Sequence, residues 1–89
     1  MKSILMDSKE CLVCGSPYVE DHHIFFGPLR KVAEKYGLKV WLCPEHHKGN
    51  EGPHLNRAFD IALKRAAQRE FLKTHTMAEW MEEFGRNYL

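Results

Sequence analysis

Apolar and polar positions along this chain change period several times, and each change marks an element. The first ten residues are polar and aperiodic, apart from a strand-like trace at Ile4, Leu5 and Met6. Cys11-Leu12-Val13-Cys14-Gly15 reads as a tight knuckle that Ser16-Pro17 continues as a turn. Residues 18–26 (YVEDHHIFF) are rich in β-branched and aromatic side chains and predict a strand, which Gly27-Pro28 breaks. Residues 29–36 predict a short helix, with Pro28 suited to its start and Gly37 to its stop. Residues 38–42 (LKVWL) predict a second strand. Pro44 then opens a short helical piece carrying Glu45, His46 and His47, and residues 48–53 form a loop by composition.

The longest helical pattern covers residues 54–74, with Leu55, Phe59, Ala62, Leu63, Ala66 and Ala67 at helical spacing. Asp60 stands four residues before Lys64, a helix ion pair. Thr76 is an N-cap with Glu79 as its capping-box partner, so residues 77–84 make a last helix that Gly85 stops. Trp80 and Phe84, four apart, dock that helix. Phe25, Phe26 and Trp41 are expected in the core, and His75 on the surface. With no repeat, low-complexity tract or linker, residues 1–89 read as a single α+β domain, with residues 11–54 as its core and helices after it.

A chain of 89 residues is close to the size at which an apolar core alone is marginal and metals or disulfides add stability. It has three cysteines and six histidines, five of the latter between positions 22 and 54. An odd cysteine count, and an N-terminus without a signal-peptide pattern, point to a reducing, cytoplasmic setting with thiolates free for metal. No apolar run approaches the roughly 20 residues that span a bilayer, so no membrane partner is expected. The net charge of +1 does not announce a nucleic-acid binder, so any such role needs local basic surface.

Cys11-x2-Cys14 and Cys43-x2-His46 are two knuckle-like pairs. A two-residue spacer in a turn lets both side chains reach one ion, and two such pairs complete a tetrahedral Cys3His zinc shell that uses every cysteine. The rival use, a redox Cys-x2-Cys, lacks a thioredoxin-like context and leaves Cys43 unexplained. His22 and His23 are neighbours on a strand and so point to opposite faces, which gives them different roles. With His46 in the zinc shell, His47 faces another way, and His22, His47 and His54 form an open three-ligand site of the catalytic kind. Asp21 competes as a ligand if the register shifts by one.

In combination, CLVCG, EDHHIFFG and WLCPEHHKG resemble the HNH (ββα-metal) endonucleases over roughly residues 11–54, and GPHLN resembles a version of that family often found in phage genomes. The resemblance implies a zinc-stabilised ββα-metal, treble-clef-like core and phosphodiester hydrolysis on DNA, inside a bacterial host cell if the chain is phage-encoded. It implies His23 as the general base, and His22 and His47 as ligands of a catalytic divalent ion (Zn2+, Mg2+, Mn2+ or Ni2+), with His54 as the remaining ligand. It also implies phosphate contacts from cations near the site, for which Arg30, Lys31, Lys48 and Arg57 are the candidates, although for any one of them a solvated surface charge is the commoner outcome. The pattern departs from the family where a middle Asn orients the base: Gly37 and Leu38 stand there, leaving a backbone carbonyl, Asn50 or Asn56 to hold His23. Two other readings share the scaffold: a non-catalytic zinc module that binds DNA or a protein partner, alone or in a larger complex, and a closed second structural zinc site on His22, His47, His54 and Asp21.

Overall fold

A computed structural model describes residues 2–89. The element order is β1 (Glu20–His23), a single 3-10 turn (Gly27–Leu29), α1 (Arg30–Tyr36), β2 (Lys39–Leu42), α2 (Pro44–Lys48), α3 (Arg57–Phe71) and α4 (Met77–Phe84). The chain is thus a small α+β unit whose sheet is one antiparallel pair, β1 against β2. The register sets Glu20 opposite Leu42, Asp21 opposite Trp41, His22 opposite Val40 and His23 opposite Lys39. Strand alternation therefore sorts the side chains into two sets. Glu20, His22, Val40 and Leu42 share one face, and Asp21, His23, Lys39 and Trp41 share the other.

Several elements differ from the sequence expectation. The first strand is confined to Glu20–His23, because Ile24 leaves the ladder with a last bond from its N–H to Leu38 O, and Phe25 turns into the core. Ile4 to Met6 form no strand; Ile4 N–H instead bonds Gly37 O. Gly37 ends α1 in the left-handed region (φ 70°), and a Cβ there would collide with the carbonyl of Lys2. The long helix begins at Arg57, not at 54, because Asn56 caps it by accepting the Phe59 N–H, and residues 53–55 make a turn. Leu55 consequently stands outside the helix and is exposed. The capping box of Thr76 and Glu79 and the Asp60–Lys64 pair (2.8 Å) form as expected.

The core gathers Ile24, Phe25, Leu38, Val40 and Leu42 from the sheet region with Leu63, Ala67, Phe71, Trp80 and Phe84 from the helices. Its aromatic centre is tight: Phe25 lies 4.5 Å from Phe84 and 5.5 Å from Trp80, ring centre to ring centre. The Trp80 indole N–H bonds Arg86 O at 2.7 Å, and fully buried Gln68 holds Asn87 and the Tyr88 N–H, so the tail is pinned over α3. Three aromatic expectations change. Phe26 is 47% exposed because Phe25 alone fills the core position. Trp41 is half-buried, since it lies on the outer face of β2 under the Lys9 ammonium. His75 is not a free surface residue: its ring stacks on Phe71 at 4.2 Å. Among the described residues, no helix is long and apolar enough to cross a membrane.

Candidate metal centres and the histidine beside them

Cys11 and Cys14 are set by the first knuckle. Gly15 takes φ 76° and returns its N–H to Cys11 O, and Leu12 N–H bonds Trp41 O, which ties the knuckle to β2. Cys43 follows β2 directly, and Pro44 starts α2 so that His46 lies one turn on. The four donor atoms of Cys11, Cys14, Cys43 and His46 lie within 4.8 Å of one another. The individual edges are 3.7 Å for Cys14 Sγ to Cys43 Sγ, 3.2 Å for Cys43 Sγ to His46 Nδ1 and 3.8 Å for Cys11 Sγ to His46 Nδ1. A tetrahedron with Zn–S and Zn–N bonds of the usual length has S–S edges of about 3.8 Å and S–N edges of about 3.5 Å. The sulfurs are far beyond the ~2.0 Å of a disulfide. All three cysteines are free, and the donor set is compatible with a metal such as zinc.

The Cys11 and Cys14 thiols are shifted in opposite directions. Burial opposes ionisation of Cys11, but the backbone N–H groups of Cys43, Cys14 and Val13 outweigh it and bring its pKa down to about 6. Cys14 moves the other way: the Ser16 N–H favours its thiolate, but desolvation and the sulfurs of Cys11 and Cys43 win and raise it. Adjacent thiolates repel until a cation neutralises them.

The second group is His22, His47 and His54, with donor atoms again within 4.8 Å. His22, on the inner face of β1, is 2% exposed, and its Nε2 is buried with no hydrogen-bond partner among the described residues. An orphaned buried nitrogen is costly unless something binds it. His47, on α2, is buried as well, and its Nδ1–H donates to Glu20 Oε1 at 2.7 Å. That contact leaves the Nε2 lone pair of His47 for a ligand, the carboxylate–histidine arrangement seen behind metal-bound imidazoles. Glu20 answers with a lowered pKa, first through this hydrogen bond and then through the charge of Lys48, against a desolvation cost.

His54 is exposed, and its Nε2 lies 3.4 Å from His47 Nε2. That is long for an N–H···N bond and close to the ~3.3 Å edge between two nitrogens on one tetrahedral zinc. Loop 48–53 brings it there: Gly52 packs so tightly on the carbonyl end of α2 that a Cβ would collide with His47 O. His22 is kept neutral, at a pKa of about 3, by burial first and then by the neighbouring His47, His54, His23 and Lys64 charges. Neutral imidazole is the metal-binding form. The residues present therefore fit an ion held by three nitrogens.

His23 falls on the opposite face of β1, as alternation requires. It is not a member of the triad, yet β1 ends there and both histidines border one shallow hollow of about 190 Å³, with His47, His54 and Arg30. The His23 ring is held by Glu34, whose Oε2 accepts from Nε2 at 2.9 Å. Lys39 bridges Glu34 and Asp21, at 3.0 Å and 3.2 Å. Glu34 thus stands where Asn50 or Asn56 was expected, and the Asn56 side chain is engaged in capping α3. Asp21 groups with His23 and Glu34, not with the triad, so it does not close a fourth position on His22, His47 and His54. Sequence reasoning missed Glu20 and Glu34. Glu20 stands two residues before His22, and so on its strand face, which is a usable signal; nothing in the sequence marks Glu34.

The candidate cations divide. Arg30 is exposed and lines both the triad hollow and the groove beside His23 and Glu34, and Lys31 lines that groove only. Arg57 borders a separate hollow with His54, Phe26 and Leu55. Lys48 is exposed at the end of α2, where its charge acts on Glu20. Comparison of the chain with protein-family models, curated proteins and solved structures returned no match.

Proposed function

We propose that this protein is a metal-dependent DNA endonuclease or nickase of the HNH (ββα-metal) type, with a structural zinc on Cys11, Cys14, Cys43 and His46. One observation carries the reading. Three histidine nitrogens converge with no fourth ligand in their group among the described residues, and a further histidine, excluded from them by strand alternation, borders the same hollow. Structural zinc sites are closed by four protein ligands, whereas catalytic ones keep a position open. The two groups in this chain divide along that line.

The chemistry is hydrolysis of a phosphodiester. Because Glu34 accepts the Nε2 proton of His23, the Nδ1 lone pair is available as a base. The proton of the attacking water passes to Nδ1, its oxygen bonds to phosphorus, and the bond from phosphorus to the 3′ oxygen breaks. The Glu34 carboxylate faces the imidazolium that results. His22, His47 and His54 would hold a divalent ion, which would supply Lewis acidity to the phosphodiester. Arg30, which borders His23 and the triad together, is the best placed of the cations to hold the phosphate, and such contacts position the duplex without reading its sequence. Histidine ligands suit zinc, nickel or manganese.

The test is plasmid cleavage by metal-loaded protein. Nicked or linear product is expected from the wild type, with loss of about 100-fold or more in His23→Ala, the usual scale for a general base, and unchanged metal content. Cleavage undiminished in His23→Ala removes the base assignment. A wild type that retards DNA in a gel but cuts none replaces the enzyme with a binding module.

A further inference from the structure

We propose that Glu34 is the positioning residue for His23, fixing both the direction of its ring and the nitrogen that carries its proton. The inference rests on the reading of His23 as the base, and it concerns a residue on a different element, eleven positions away in the chain. Three features of the geometry point to it. Glu34 Oε2 is 2.9 Å from His23 Nε2, a distance for a charge-assisted hydrogen bond. A carboxylate only accepts, so Nε2 must bear the hydrogen and Nδ1 the lone pair. The carboxylate is itself held in place: the Lys39 ammonium reaches Oε1 at 3.2 Å and Oε2 at 3.0 Å, and also bonds Asp21 Oδ2 at 3.2 Å.

Lys39 is buried, stands directly across the ladder from His23, and is fixed by the sheet. Burial disfavours its charge, but the carboxylates of Glu34 and Asp21 outweigh this and raise its pKa. The orientation of His23 is therefore referred through Glu34 and Lys39 to the backbone of β2. A base whose ring direction and tautomer are set in advance pays no ordering cost when substrate arrives.

A structural role for Glu34 is not the same thing. If Glu34 served only to neutralise Lys39, its loss would leave the His23 proton where it was. If it positions His23, its loss releases the tautomer. Long-range 1H–15N spectra of the metal-loaded protein separate the two, recorded at a pH where imidazole is neutral. Wild type is expected to show His23 as the Nε2–H tautomer. Glu34→Ala, and Glu34→Leu as a variant that keeps the aliphatic bulk, are expected to show a mixture with Nδ1–H, while the Trp80 indole signal reports that the core is intact. Cleavage by both variants is expected to fall about 10- to 100-fold, the range for groups that orient a working imidazole.

A wild-type His23 in the Nδ1–H form overturns the proposal, whether or not any variant folds. So does an Nε2–H signal unchanged in the variants. Wild-type protein that shows the tautomer dependence but cuts no DNA leaves the positioning intact and overturns the nuclease reading alone.

Discussion

His22 shows how much one buried side chain is asked to do. Its Nε2 has almost no water-accessible surface and no hydrogen-bond partner among the described residues, so without an ion the fold carries an unsatisfied polar atom. The same burial, with the neighbouring histidines, holds its pKa at about 3 against an ordinary 6.5. A consequence for pH follows. Between about 6.5 and about 3 the unfolded chain takes up a proton that the folded chain refuses, so stability is full above 6.5 and is lost as pH falls through that window. For protein depleted of the triad ion by mild chelation, the urea midpoint is expected to drop steadily from pH 7 downward, and His22→Gln is expected to flatten that slope. A slope unaffected by His22→Gln would show that His22 does not titrate in this way. The ligands at this scale were legible in the sequence, because spacing and strand alternation are local rules: they separated His22 from His23 and His46 from His47. The groups behind them were not. Glu34 reaches His23 only because α1 folds back over the sheet, and no local pattern encodes that approach.

At the scale of elements, the site depends on how α2 and α3 are joined. The sequence pattern starts the long helix at residue 54, which would place His54 on its first turn. The structure starts that helix after an Asn56 N-cap and leaves His54 in a turn, where Gly52 donates its N–H to Gly49 O and accepts from Leu55 and Asn56. Periodicity misjudged the boundary because Leu55 fits the helical stripe, whereas the cap hydrogen bond and the close approach of Gly52 to α2 decide it. Gly52→Ala tests this directly. The added methyl has no room against His47 O and must move the loop that carries His54. The expected result is triad-ion affinity weakened by about tenfold or more, on the scale of a disturbed ligand setting, while the Cys3His ion stays bound. Isothermal titration with zinc, read on protein that already holds the first ion, checks it. Equal affinity in the variant would mean that His54 is not needed for the ion.

At the scale of the whole molecule, the knuckle, sheet and α2 form one device with two consequences. Cys43 and His46 sit on either side of the start of α2, and His47 is the next residue, so the element that completes the Cys3His group also aims a histidine of the second group. The helical part, packed around Phe71, Trp80 and Phe84, covers the sheet and leaves the histidine edge open. Composition and motif spacing conveyed the α+β class and both donor groups. They did not convey the connection through α1, which places Glu34 and Arg30 beside His23, because that depends on packing between distant parts of the chain. On the proposed reading the chain holds two ions of different character, one closed in by four ligands and one open. The most direct measurement is elemental metal content per chain after loading with zinc, before and after dialysis against a mild chelator. Two ions are expected before and one after, with the remaining ion lost in Cys43→Ser and retained in His22→Gln. One ion throughout, or both lost together, would contradict it.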